Sequence, residues 1–403
     1  MTIFKKVLKK LMEIPIIKSI LDNDLYKFTM MQAVFHQYRN VEVEYDFKCR
    51  NKGQKLGYLA EIVRRQIDFM ANLQLQALEK TFLQSKIRFL TPDFIEFLSN
   101  FRFDPTTVTV TDDNGELRIH IKGKWVNTIL WEVPILAIIS EVYFRSLPDA
   151  DLERSYQVGR EKLAKKIELI NFYHLPINEM GTRRRFTREW QDEMVGTLAR
   201  ECSCDDFRAT SNVFLAMKHN IKAMGTMAHE WIMAHLSLVN DISQAQKRAF
   251  HVWQQEFIAD LGIALSDTFG TDAFYRDFDL VLSRSYSGPR HDSGDPYAFG
   301  YKTIDHYQKM NIDPITKIVT FSDGLKINEE IIVPLFLTFV RYFRINFGVG
   351  TDLSNDLDQD PLNIVIKMSS CQGKPVVKLS DVEGKEMGDP EMIKRVKEAY
   401  PRS

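Results

Sequence analysis

"SGPRHDSGDP" (residues 287–296) crowds Arg290, Asp292 and Asp295 between two prolines. The glycines, prolines and serines are what a turn requires. Turn chemistry gives no reason for an arginine and two carboxylates in the same six residues. The stretch is one of a series. From about residue 140 the chain alternates short apolar runs, Gly-, Asp- or Thr-rich turns and helical patterns. The turns are NEMGTRRR (178–185), RATSN (208–212), AMGTMAH (223–229), ALSDTFG (264–270), SGPRHDSGD (287–295), FSDG (321–324) and FGVGTD (347–352). A strand that ends in a turn and runs on into a helix is the repeating unit of a parallel sheet. Seven such turns in about 180 residues predict an α/β fold whose strands curl into a βα barrel rather than an open sheet. In such a barrel the active site lies at the C-terminal ends of the strands, and that is where the polar residues gather.

Outside this repeat the pattern changes. VEVEYDFKC (41–49) alternates strictly, with Val41, Val43, Tyr45, Phe47 and Cys49 on one face and charged residues on the other, a half-buried strand. VTVTDDNGELRIHI (108–121) predicts a hairpin turning at Asn114-Gly115. AEIVRRQIDFMANL (60–73) has helical spacing. NIVIKMSSCQGKPVVKLSD (363–381) predicts two strands around Gly373, followed by a charged helix. A chain of 403 residues is long for one core. We expect an N-terminal α+β domain over 1–140, the barrel over 141–360, and C-terminal strands and a helix over 361–403 that pack back on both.

Composition narrows the partners. Lys plus Arg is 53 and Asp plus Glu is 54, which argues against nucleic acid or an anionic membrane as the main partner. Cys49, Cys202, Cys204 and Cys371 form no C-x-x-C pair, so neither a disulfide framework nor a structural zinc site is expected. Free thiols fit a cytoplasmic protein. TILWEVPILAIIS (128–140) is interrupted by Glu132 and Pro134, and IIVPLFLTFV (331–340) is short, so no membrane span is read. FKKVLKKLMEIPIIKSIL (4–21) is read as an amphipathic lead-in helix.

Several turns carry residues suited to anions. In FGVGTD, Gly348, Gly350 and Thr351 form a turn whose backbone N–H groups can cradle a phosphate. In MGTRRRF, one of Arg183, Arg184 and Arg185 is expected to reach the site while the others make surface or subunit contacts. Arginine grips carboxylate or phosphate with two prongs. Arg290 can hold an anion, while Asp292 and Asp295 either bind ribose hydroxyls or Mg²⁺ or simply cap a helix. His229 follows a Gly-Thr turn where a helix begins, and beside phosphate loops it can accept a phosphoryl group. DNDLYKFTM (22–30) places Asp24, Tyr26 and Lys27 in one polar window. These residues point to a phospho-sugar enzyme without naming its reaction.

DNDLYKFTMMQAVFHQY, GTRRRF, TSN, GTMAHEW, RHDSGDP, FSDG, FGVGT and PLNIVIK occur in this order over nearly the whole chain. The ordered set resembles the nicotinate phosphoribosyltransferase family. The resemblance implies the irregular βα barrel of type II phosphoribosyltransferases. It implies transfer of phosphoribosyl from 5-phosphoribosyl-1-pyrophosphate to nicotinate, with Mg²⁺, coupled to ATP hydrolysis through a phosphohistidine. By motif match that histidine is His229, and Thr226 lies at the substrate site. Tyr26 matches a tyrosine that reaches the neighbouring subunit's site and stacks on the pyridine ring, which implies a homodimer. Arg290 matches the arginine that meets the substrates, Arg183 one at the nicotinate pocket, and Thr351, with Gly348 and Gly350, the holder of the ribose 5-phosphate. Asp292, Asp295 and Asp323 match positions near ribose, Mg²⁺ or pyrophosphate, with no protein cage dedicated to the metal. Two positions depart from the family: Met180 stands where an aromatic usually stacks on the ring, and Asn23 where Thr is usual.

Three other readings compete, the first within the same enzyme class. A nicotinamide-preferring phosphoribosyltransferase would need an acceptor such as Asp for the amide. A catalytically silent barrel would bind phosphoribosyl pyrophosphate without turnover. A phospho-sugar lyase or aldolase wants a Schiff-base lysine or a metal cluster, neither of which stands out in the sequence.

Overall fold

A computed structural model describes residues 11–147, 151–258, 260–382 and 386–401. The expected lead-in helix falls mostly on residues 1–10, outside the described residues; Leu11–Glu13 are helical.

Among the described residues two sheets organise the chain. Helix α1 (Leu25–Gln37) leads into β1 (Glu42–Cys49), where the strict alternation buries Val43, Tyr45 and Phe47. β2 (Val108–Asp113) and β3 (Glu116–Lys124) form the expected hairpin. Asn114 and Gly115 both take positive φ, 54° and 88°, which suits the turn to the twist of the strands. β3 pairs antiparallel with one edge of β1. The chain then enters α2 (Glu132–Ser146), almost wholly buried. The stretch Trp125–Ser146 is long and apolar enough to cross a membrane, yet 94% of its apolar window is buried inside the fold. The two residues that interrupt the apolar pattern have local uses. Pro134 sits in the first helical turn, where no N–H is needed, and Glu132 pairs with buried Lys27 at 2.5 Å.

The seven turns then do as the sequence reading expects: each follows a parallel strand. These strands are β4 (Ile177–Glu179), β5 (Phe207–Thr210), β6 (Lys222–Ala223), β7 (Ile263–Leu265), β8 (Gly288–His291), β9 (Ile318–Phe321) and β10 (Arg344–Val349). Helix α3 (His229–Leu238) starts directly after the turn that follows β6. The order is β6-β5-β4-β10-β9-β8-β7, so the curled sheet stops short of closure and β6 and β7 are its edges. The reason is local. β6 is two residues long, and the N-terminus of α1 presses against the turn after it: a Cβ on Gly225 would lie 2.6 Å from the backbone nitrogen of Tyr26. Across the seam Thr226 Oγ1 donates to the Ile263 carbonyl at 3.0 Å, while Thr29 Oγ1 donates to the Thr226 carbonyl at 2.6 Å.

The tail returns to the first sheet. β11 (Ile364–Cys371) pairs antiparallel with the free edge of β1, Phe47 opposite Ile366, and β12 (Lys374–Pro375) adds the rim. Helix α4 (Pro390–Ala399) ends the described chain, its N-cap Asp389 accepting from the Met392 amide.

One buried charge network ties the start of α1 to the first barrel turn. Asp22 accepts from both terminal guanidinium nitrogens of Arg185, at 2.7 and 3.0 Å, and from Asn212 Nδ2 at 2.8 Å. Arg185 is thus a core residue, not the surface or subunit contact expected for it. Replacing Arg185 by Met should cost about 3 kcal/mol, the low end for breaking a buried ion pair, because Asp22 keeps Arg188 at 3.3 Å and Asn212; urea unfolding would read this as a lowered midpoint.

Candidate active site

A cavity of about 340 Å³ lies along the seam between β6 and β7; residues within β8, β9 and β10 line it, as do the turns that follow β4, β5 and β8. Tyr26, Arg183, Thr226, His229, Arg290 and Asp292 all line it. They arrive from α1 and from the ends of three different strands, β4, β6 and β8, which is what the barrel topology permits.

His229, at the first position of α3, is the buried centre. Its Nε2 lies 2.9 Å from Asp292 Oδ2, 2.9 Å from Lys378 Nζ and 3.7 Å from Asp267 Oδ1, and its Nδ1 lies 3.1 Å from Thr268 Oγ1. A hydroxyl can donate or accept, so Thr268 serves either ring tautomer. Burial, followed by Lys378, pushes the imidazole pKa down to about 4 against the pull of Asp267 and Asp292. Burial alone would raise the Asp292 carboxyl, but Arg290, 3.6 Å away, and His229 hold it well below the usual range. Ser322 Oγ donates to its other oxygen at 2.9 Å.

The second wall is basic. Arg183 lies 3.5 Å from Glu132 and its guanidinium carbon 5.8 Å from the Tyr26 ring centre. Lys367, on β11, also lines the cavity, and burial, with Lys378 and Arg183 near, lowers its ammonium to about 8. Met180 lines the same cavity, and its sulfur lies where Gly348 leaves room: a Cβ there would come within 2.6 Å.

The remaining expected residues stand elsewhere. Asp295 is exposed and its carboxylate caps the helix over 296–309 by accepting from the Tyr297 amide. Asp323 is exposed on the turn after β9. Gly350 and Thr351 open a helical turn beyond β10 and, like Gly348, are not among the cavity's lining residues. Tyr26 lines the cavity of its own chain, whereas the resemblance assigns it to a neighbour's site.

Sequence reading missed Asp267, Thr268, Lys367 and Lys378. The first two sit in the quoted turn ALSDTFG and could have been singled out by position. The lysines carry no local signal, because only the pairing of β11 with β1 brings the tail to the barrel.

His229, Asp267 and Asp292 place their ligand atoms within 4.8 Å of one another, a spacing that could hold a metal. The residues present do not fit a resident ion there, because the Lys378 ammonium already stands among them, 2.8 Å from Asp267 Oδ2.

The sequence model of the nicotinate phosphoribosyltransferase family matches residues 175–403, and that of the family's N-terminal domain matches residues 21–140. The chain belongs to the nicotinate phosphoribosyltransferase family. The family's members include a nicotinate phosphoribosyltransferase of Acidovorax sp. (strain JS42), 44% identical over 386 residues, covering 92% of this chain and 95% of that one. One from Burkholderia ambifaria (strain MC40-6) is 43% identical over 381 residues, covering 93% and 94%. The crystal structure of the Porphyromonas gingivalis nicotinate phosphoribosyltransferase superposes with a TM-score of 0.91 at 37% identity, over 96% of this chain and all of that one. The Vibrio cholerae structure gives 0.91 at 36%, over 97% and 95%.

The depressed His229 pKa sets a pH dependence. Its folded value, about 4, lies below the roughly 6.5 of an exposed histidine. Between these values the unfolded chain binds a proton that the folded chain does not, so stability falls as pH drops through that window. NMR should find the His229 ring neutral at about pH 6. Urea midpoints of His229→Asn should decline less between about pH 6.5 and pH 4 than those of the parent.

Proposed function

We propose that this chain transfers phosphoribosyl from 5-phosphoribosyl-1-pyrophosphate to nicotinate. The products are nicotinate mononucleotide, a precursor of NAD, and pyrophosphate, and ATP drives the reaction through His229. The observation that carries the reading is the convergence of Arg183, Arg290 and the His229–Asp292 pair on one cavity beside the Tyr26 ring.

The chemistry asks little of acid–base groups. The pyridine nitrogen already has its lone pair, and attack on the anomeric carbon as pyrophosphate leaves builds positive charge on the ribose, as in other sugar transfers. The protein must orient two anions and stabilise moving charge. In this reading Arg183 takes the nicotinate carboxylate and Tyr26 and Met180 flank the ring. A thioether packs well against an aromatic face. Arg290 meets the leaving group, Asp292 the ribose, and the Gly348–Thr351 turn the ribose 5-phosphate, while Asp323 is left to the Mg²⁺ that the pyrophosphate carries. Asp295 is left to its capping role. Mg²⁺ enters with the substrate phosphates rather than in a protein site. A homodimer follows from the resemblance, and a cytoplasmic location from the four free thiols, Cys49, Cys202, Cys204 and Cys371.

A second reading has one observation in its favour. Asp24 lines the cavity next to Arg183, and its carboxyl, raised mainly by burial, could accept from an amide. Comparing kcat/KM for nicotinate and nicotinamide separates the two: a preference for nicotinamide would move the assignment.

Two variants test the roles. Arg290→Ala removes a charge-assisted contact and should lower kcat/KM about ten- to a hundredfold. His229→Ala should keep the fold and lose all stimulation by ATP; a variant still stimulated would remove His229 from the coupling.

A further inference from the structure

Lys378 comes from the far end of the chain, beyond β12, yet its Nζ lies 2.9 Å from His229 Nε2 and 2.8 Å from Asp267 Oδ2. Its side chain is 13% exposed. The backbone that carries it is pinned to the barrel loops. The Leu379 amide donates to the Thr268 carbonyl at 2.8 Å, and Thr271 donates its amide and hydroxyl to Asp381 at 2.7 and 2.6 Å. The Asp381 amide donates to Ser293 Oγ at 3.2 Å. A single ammonium is thus held inside a histidine–dicarboxylate group whose spacing otherwise suits a metal.

We propose that Lys378 is the cation that receives the phosphoryl group at His229, in the position a metal would take. The inference rests on His229 being the phosphoryl acceptor. The ring nitrogen that holds the lone pair attacks the γ-phosphorus of ATP and a P–N bond forms. The bond from phosphorus to the bridging oxygen breaks, and ADP leaves with that electron pair. The single ring proton stays on the other nitrogen, so the ring carries the positive charge of an imidazolium opposite the phosphoryl oxygens. The acceptor lies between Asp267 and Asp292, two carboxylates that repel an incoming phosphate. Lys378 offsets that repulsion, turning from the ring to the phosphoryl oxygens as they arrive, and Asp267 keeps it aimed. Placement of a fixed cation where charge moves is the general device of phosphoryl transfer.

The test is labelling of the enzyme from ATP carrying a labelled γ-phosphate. The parent and His229→Ala are run first; label on His229→Ala would overturn the phosphohistidine reading itself, before Lys378 is asked anything. Lys378→Met should then label about ten- to a hundredfold more slowly, with the loss in the maximal rate rather than in the KM for ATP. Lys378→Arg should recover most of the rate, which a purely structural part would not require. Lys378→Gln, which keeps a donor for Asp267 and removes only the charge, serves if Lys378→Met melts early. Folded Lys378→Met or Lys378→Gln labelling at the parent rate overturns the proposal.

Discussion

The pairing of β11 with β1 is the contact on which the site depends. It adds a strand from the end of the chain to the free edge of a strand from its beginning, with Val43 to Cys49 matched against Cys371 to Ile364. The same pairing sets Lys367 against the cavity and delivers Lys378 to His229. α1, just before β1, supplies Tyr26 and closes the seam that the parallel sheet leaves open. Both ends of the chain therefore meet at one cavity, and the parallel strands supply only part of it.

The cavity is an arrangement of charges that water does not fully screen. Arg183, Arg290, Lys367 and Lys378 face Asp24, Glu132, Asp267 and Asp292. Buried carboxylates are costly unless paired, and three of these four have a cation within ion-pair distance: Glu132 has Lys27 and Arg183, Asp267 has Lys378, Asp292 has Arg290. Such a site suits substrates that arrive with phosphates and a carboxylate, since incoming anions take over cations already in place. His229 stays neutral within it, which leaves a ring lone pair available as a nucleophile.

Much of this was legible in the sequence because the relevant signals are local. The alternation in VEVEYDFKC gives β1, Asn114-Gly115 gives the hairpin, and the seven turns give the parallel strands in order. Arg290 and Asp292 were legible because their residue types exceed what a turn needs, and His229 because its motif matches the family's. What escaped is set by distance along the chain. Lys378 reaches His229 across 149 residues, and nothing in KPVVKLSD announces it. The open seam was equally hidden, since it depends on Gly225 meeting α1. Arg185 looked like its neighbours Arg183 and Arg184 in a basic run. Only the three-dimensional placement of Asp22 turns it into a core residue.

The most direct measurement is product formation by the purified protein with 5-phosphoribosyl-1-pyrophosphate, Mg²⁺ and nicotinate, with and without ATP. Nicotinate mononucleotide should appear, and faster when ATP is present, with ADP formed alongside. Binding of the phosphoribosyl substrate with no product under either condition would contradict the account and leave the cavity a binding site without chemistry.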